Sequence, residues 1–175
     1  SGVIYAAARQ YDDRFGSNCK SLFVKSTDNG ATWDYITDIS NHTTHPTEEI
    51  GIEYIGNNTI LAILRHDNNA YTWKSLSYDM GVTWSALEDV TSVFEASGRH
   101  RVYTEAHLKG EANWWADNRI IVEGFTLDQP GNSHPRTVCI WTSDTRGATW
   151  TKLDLDTSSE DGGYGDIICN PTNDS

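Results

Sequence analysis

The sequence predicts an all-β fold of repeated antiparallel sheets, and three observations carry that expectation. One turn motif occurs three times in 175 residues: Ser26-Thr27-Asp28-Asn29-Gly30-Ala31-Thr32-Trp33, Ser77-Tyr78-Asp79-Met80-Gly81-Val82-Thr83-Trp84 and Ser143-Asp144-Thr145-Arg146-Gly147-Ala148-Thr149-Trp150. A unit that recurs every roughly 50–65 residues with short strands between indicates blades or a solenoid. Only 37% of the residues are hydrophobic, yet 7 are Trp and 8 are Tyr. That balance suits many short strands with aromatic anchors better than a helical bundle. Third, the apolar runs are short and bounded by Gly, Asn and Pro.

The chemistry of the repeated unit is readable. An Asp carboxylate accepts turn N–H groups, and Gly takes the positive φ. Thr-Trp then opens a strand, with the indole laid under the turn. In the third copy Thr145 stands where Asp is expected and Asp144 sits one place early. There Asp144 or Ser143 is expected to accept the N–H bonds.

Taken in order, Val3 to Arg9 reads as a strand and the residues to Ser17 as a polar loop. Ser21 to Ser26 is a second strand entering the first turn, and Trp33 to Ile39 completes the hairpin. A polar loop closes at Pro46. Ile50, Ile52 and Tyr54 then alternate with Gly51 and Glu53, the pattern of a half-buried strand. Gly56-Asn57-Asn58 makes a hairpin turn. Thr59 to Arg65 is apolar on both faces and reads as a central strand. Ile4 to Arg9 and Ile60 to Arg65 both read Ile-x-Ala-x-x-Arg, so the repeat extends beyond the turn.

The third unit has a strand from Val102 to Leu108, a loop with Trp114-Trp115, a central strand from Arg119 to Phe125, and a strand from Thr137 to Thr142. A hairpin strand ends near Leu155, and Gly162-Gly163-Tyr164-Gly165-Asp166 opens what reads as a fourth unit. The units fall at about 1–40, 41–95 and 96–157, with the next starting over 158–175. A helical turn is expected only within Ser85 to Glu95. Four-stranded sheets repeated around an axis make a β-propeller, which hides its strand edges by closure. Three blades and a start cannot close, so a missing propeller half or a second chain is expected to cover the open edges.

Composition narrows the partners. The length favours one domain. A net charge of −12 disfavours nucleic acid and anionic membrane surfaces as partners, so any anion must enter a local cationic pocket. Cys19, Cys139 and Cys169 are odd in number and widely spaced, which argues for free buried thiols rather than a metal site or disulfide framework. The six His, His42 and His45 among them, show no metal spacing, and no metal or cofactor is expected. No run reaches transmembrane length. Asn41-His42-Thr43, Asn57-Asn58-Thr59 and Asn173-Asp174-Ser175 fit the glycosylation pattern.

Ser-x-Asp-x-Gly-x-Thr-Trp resembles the Asp box, or BNR repeat, of the sialidase (neuraminidase) superfamily. Two copies match in full, and the resemblance covers most of the chain. It implies a six-bladed β-propeller of which this chain is roughly the second half, a secreted or extracellular setting, and an activity on sialylated glycans or other acidic sugars. The Asp box itself is structural in that family, so activity must be argued from the site.

A sialic acid carries a carboxylate at the reacting carbon, which the permanently charged fork of Arg is suited to grip. The superfamily uses a Tyr nucleophile, a Glu base that takes the phenol proton, and an Asp acid. By that resemblance Glu48 is the first candidate base and Glu49 the second. Arg65 and Arg136 bind the substrate carboxylate, and Tyr164 attacks. The acid falls to Asp12 or Asp13. The family's first arginine sits in an Arg-Ile-Pro motif that this chain lacks. Arg9 reads as structural, and Trp114 and Trp115 as sugar-stacking or packing residues. The expected function is a metal-free retaining glycoside hydrolase, incomplete as this chain alone. The alternatives are a non-catalytic glycan-binding propeller and a scaffold with no sugar site.

Overall fold

A computed structural model describes residues 2–11, 19–41, 43–66, 71–94, 100–109, 119–127, 136–155 and 167. Eleven strands and two helical turns appear among them. They are β1 (Ile4–Tyr11), β2 (Cys19–Ser26), β3 (Asp34–Asp38), β4 (Thr47–Tyr54), β5 (Ile60–His66), β6 (Thr72–Ser77), β7 (Glu88–Asp89), α1 (Thr91–Phe94), β8 (Arg101–Thr104), α2 (Glu105–Lys109), β9 (Ile120–Leu127), β10 (Arg136–Ser143) and β11 (Thr151–Asp154). They form three antiparallel sheets in simple meander order: β1-β2-β3, β4-β5-β6-β7 and β8-β9-β10-β11. The sheets stack side by side, with β4 against β1 and β8 against β4. This is an arc of β-propeller blades.

The repeat is exact in register. Ile4 pairs with Ser26, Ile60 with Ser77 and Ile120 with Ser143, so β1, β5 and β9 are equivalent strands. It follows that β4 and β8 are equivalent too. The first sheet has no counterpart of them among the described residues.

Each repeated turn closes the same way. Ser26 Oγ accepts the Gly30 N–H at 2.8 Å, and Asp28 accepts Thr32 N–H at 2.8 Å and its hydroxyl at 2.6 Å. The second copy repeats this with Ser77, Asp79, Gly81 and Thr83. Asn29 and Gly30, Met80 and Gly81, and Arg146 and Gly147 all take positive φ. The Trp33 and Trp150 indoles each donate to the turn glycine carbonyl at 3.2 Å, which lays the ring against the turn. In the third copy Ser143 Oγ does accept the Gly147 N–H, at 2.8 Å. The place of Asp is taken by Thr145 Oγ1, which accepts Thr149 N–H at 2.8 Å. Asp144 turns away and accepts from Arg119 Nε at 2.6 Å.

Two clusters form the core. One, centred on Phe23, Ile60, Ala62 and Leu64, lies between the first and second sheets. The other, with Leu61, Ile63, Val102, Val122 and Trp141, lies between the second and third. β5 is thus buried on both faces, as its apolar run predicts.

Three expectations need correction. β8 ends at Thr104, and Glu105–Lys109 is helical rather than strand, because Thr104 Oγ1 accepts the His107 N–H and begins a turn. β1 runs past Arg9 to Tyr11, held by pairing to Cys19. In β4 Gly51 and Glu53 are buried, as is Thr47, while Ile50, Ile52 and Tyr54 are half-buried. The reason is close approach of the third sheet: a Cβ on Gly51 would lie 2.3 Å from the His100 carbonyl oxygen. Hydrophobic alternation reports one covered face, and β4 is covered on two. No helix among the described residues is long and apolar enough to cross a membrane.

Candidate functional site

The repeated turns occupy one end of the sheets. Arg9, Glu48, Glu49 and Arg65 gather at the other. β4 enters this end with a bulge: Thr47 pairs with His66 and Ile50 with Leu64, so Glu48 and Glu49 together oppose Arg65. A regular strand would send neighbouring side chains to opposite faces. The extra residue re-aims one of them, a common use of bulges near sites.

Both carboxylates therefore meet one guanidinium. Arg65 Nη2 donates to Glu48 Oε2, and Arg65 Nε lies 2.8 Å from Glu49 Oε2. The Arg65 side chain is the most buried of the group. Arg9 adds a second guanidinium, with Nη1 3.7 Å from Glu48 Oε2. Its Cζ stands 4.5 Å over the Tyr11 ring, a cation–π contact that steadies the half-exposed side chain.

The register explains this convergence. Tyr5 and Ala7 face the second sheet, and Arg9 continues that row to reach Glu48. Leu61 and Ile63 face the third sheet, and Arg65 continues their row. Each arginine ends the same row of the same strand in its own blade. The Ile-x-Ala-x-x-Arg repeat puts Arg9 in register with Arg65, and its ion pair with Glu48 is compatible with the structural role the sequence suggests.

Arg136 opens β10 opposite Leu127, also at the end away from the turns. Asp12, Asp13 and Tyr164 lie outside the described residues, as do Trp114, Trp115 and Cys169. β1 ends and β2 begins at the arginine end. Conversely, β8 ends and β9 begins at the turn end, where Thr104 pairs with Ile120.

Near the turn end lies a second polar cluster. Glu53 is 7% exposed, and its Oε1 takes bonds from His107 Nδ1 at 2.9 Å and Thr104 Oγ1 at 3.3 Å. Burial raises its pKa, against the opposing pull of His107. It ties the second sheet to α2. His100, packed between Phe94 and Trp141, is held neutral by burial, its pKa pushed down to about 4. Among the described residues no three His, Cys, Asp or Glu are grouped to hold a metal ion. Cys19 and Cys139 are both buried, and burial pushes the Cys139 thiol up to about 11.

No protein-family model matches the sequence, and no curated protein matches it. Solved structures do match. A protein of unknown function from Dyadobacter fermentans superposes with a TM-score of 0.66 at 18% identity, over 89% of this chain and 39% of its own. An α-L-arabinofuranosidase from Fusarium graminearum gives 0.62 at 13% identity, over 88% and 45%. The NanB sialidase from Streptococcus pneumoniae gives 0.56 at 15% identity, over 82% and 21%. The chain therefore spans less than half the length of each. The sialidase and the arabinofuranosidase are β-propeller glycoside hydrolases. At these identities the likeness establishes a shared propeller fold.

Proposed function

We propose that the chain is the site-bearing part of a sialidase-like glycoside hydrolase acting on sialic acids or related acidic sugars. One observation carries the reading. Two carboxylates and two guanidinium groups from adjacent blades converge at the end opposite the repeated turns, the same end of the sheets at which Arg136 opens β10. The Asp-box character of those turns and the propeller likeness support it.

In this proposal Tyr164 attacks the anomeric carbon and Glu48 accepts its phenol proton, with Glu49 the alternative base. A neutral phenol suits an anionic sugar because a carboxylate nucleophile would be repelled. Asp13 protonates the departing oxygen, and water later releases the glycosyl group with retention. Arg65 and Arg136 hold the substrate carboxylate. No metal or cofactor takes part. The protein acts outside the cell, where sialylated glycans are displayed.

Release of 4-methylumbelliferone from its sialoside, by the protein carrying these residues, tests the reading. Glu48→Gln should lower kcat by about 10²–10⁴-fold, and Tyr164→Phe should abolish turnover while leaving sialic acid binding intact. Full activity in Tyr164→Phe would falsify the mechanism. A second reading is a glycan-binding propeller without turnover. It is favoured by the pairing of Glu48 with both Arg65 and Arg9, which occupies the carboxylate needed as base. Binding with no hydrolysis by the unaltered protein would select it.

A further inference from the structure

A cleft lies along the seam between the first and second sheets. Its walls come from the connection between β3 and β4 and from the chain entering β7. Asp38, Asn41 and His45 line one side, and Ala86 and Leu87 line the other. The volume is about 440 Å³, within the ~300–1,000 Å³ of small-molecule sites. None of its described lining residues belongs to the arginine cluster.

The first wall is fixed from within. Ser21 and Ser40 Oγ each lie 2.5 Å from Thr47 Oγ1, and the Ser21 N–H donates to Ser40 Oγ at 3.0 Å. All three residues are buried, so both ends of the connection are tied to β2. Asn41 Oδ1 accepts the Thr43 and Thr44 N–H groups at 3.1 and 2.8 Å and the hydroxyls of the same residues. The His45 N–H donates to the Asn41 carbonyl at 3.3 Å. A wall ordered in advance lowers the entropic cost of binding.

The groups left over define the ligand. With its oxygen filled, Asn41 has an NH₂ group to offer, which no described residue accepts from. Asp38 Oδ1 accepts from the Tyr35 hydroxyl at 3.1 Å and Oδ2 from Lys20 Nζ at 2.9 Å. A carboxylate has about four acceptor sites, so roughly two remain. Opposite stand exposed Ala86 and half-buried Leu87, an apolar wall. Among the described lining residues Asp38 alone carries a permanent charge, and Lys20 already pairs with it. An anion would meet the Asp38 carboxylate, and a cation would have to displace Lys20. The cleft therefore suits an uncharged ligand.

His45 joins the cleft to an aromatic row. Its ring meets Trp73 edge-on at 4.9 Å, and Tyr71 lies 5.5 Å beyond, tilted 30° to the indole. Tyr71 is 43% exposed and offers a stacking surface.

We propose that this seam is a second carbohydrate-binding site, one that takes a neutral hexopyranose unit. Such a ring has a hydroxyl edge, where each group both donates and accepts, and an apolar C–H face. Asn41 donates to one hydroxyl and Asp38 accepts from its neighbour. The C–H face lies on Ala86 and Leu87, and the next unit of the glycan stacks on Tyr71. The site binds without hydrolysing and is independent of turnover at the arginine cluster.

Two-dimensional ¹H–¹⁵N NMR is the test, on chain made in a bacterial host so that Asn41 bears no glycan. Lactose, maltose and cellobiose are the probes. At least one should shift the Asn41 side-chain NH₂ and the Trp73 indole signals saturably, leaving the Arg65 Nε signal unmoved. Ala86→Trp fills the cleft from an exposed position and should weaken that binding about tenfold or more. Tyr71→Ala should weaken it about 2- to 10-fold. Both variants should keep the wild-type circular dichroism. Absence of saturable shifts with all three sugars overturns the proposal. So does binding that Ala86→Trp leaves unchanged, or shifts confined to Arg65, which would place the sugar in the arginine cluster. Failure to cleave sialosides has no bearing on this readout, because the probes are uncharged and binding alone is measured.

Discussion

His100 is the residue where burial, charge and folding meet most directly. It sits 1% exposed among Phe94, Trp141 and the bare backbone of Gly124, whose Cβ would lie 2.9 Å from its ring. The unfolded chain takes a proton on this imidazole below its ordinary value of 6.5, while the folded chain resists until about 4. Stability from this residue is therefore complete above pH 6.5 and declines as pH falls toward 4. The gap corresponds to about 3 kcal/mol. Urea unfolding at pH 7, 5.5 and 4 should show that decline in the wild type and a shallower one in His100→Leu. Equal slopes would remove His100 as the cause. Nothing in the sequence around Arg99-His100-Arg101 distinguishes this histidine from a solvated one. Its burial is completed by Gly124 of β9 and Trp141 of β10, both distant in sequence, together with nearby Phe94 of α1.

At the scale of the element, the three turns form a natural substitution series. Asp28 is stabilised as the anion by Thr32 and Ser26, which pull its pKa down to about 2. Its contribution is present above the ordinary value of 3.8 and lost as pH falls toward about 2. The third turn lacks this carboxylate and uses a neutral hydroxyl in its place. Charge-assisted bonds are stronger than neutral ones. Thr145→Asp should therefore raise the unfolding midpoint at pH 7, and the gain should fade below pH 4. A lower midpoint at pH 7 would mean that Asp144 repels the new charge more than the turn gains.

The β4 bulge is the other decisive element. Glu48 and Glu49 are consecutive, and the sequence offers no reason for both to reach one arginine. The bulge supplies it, and only pairing with β5 reveals the bulge. Strand existence was legible from apolar runs and turn residues, including the Asn57-Asn58 turn with both φ values positive. The phase of burial in β4 was not, because it depends on which neighbouring sheet approaches more closely.

For the whole molecule, the net charge of −12 opposes compaction, while the close ion pairs at Arg65 and Lys20 favour it. Salt shortens the Debye length from ~30 Å at 0.01 M to ~8 Å at 0.15 M, which screens long-range repulsion more than contacts near 3 Å. Adding sodium chloride over that range should raise the thermal midpoint at fixed protein concentration. A fall would show that half-buried pairs such as Lys20 with Asp38 contribute more than the summed repulsion removes.

The amino-acid order by itself determined the blade repeat, since each turn is closed by Ser, Asp or Thr, and Gly within eight residues and needs no distant partner. It also determined that Arg9 and Arg65 are equivalent, because register follows from local hairpins. Tertiary structure alone decided that Arg9 meets Glu48, that one guanidinium holds two neighbouring carboxylates, and that His100 is neutral. Those outcomes depend on how closely one sheet lies against the next, a distance fixed by side chains far apart in the chain.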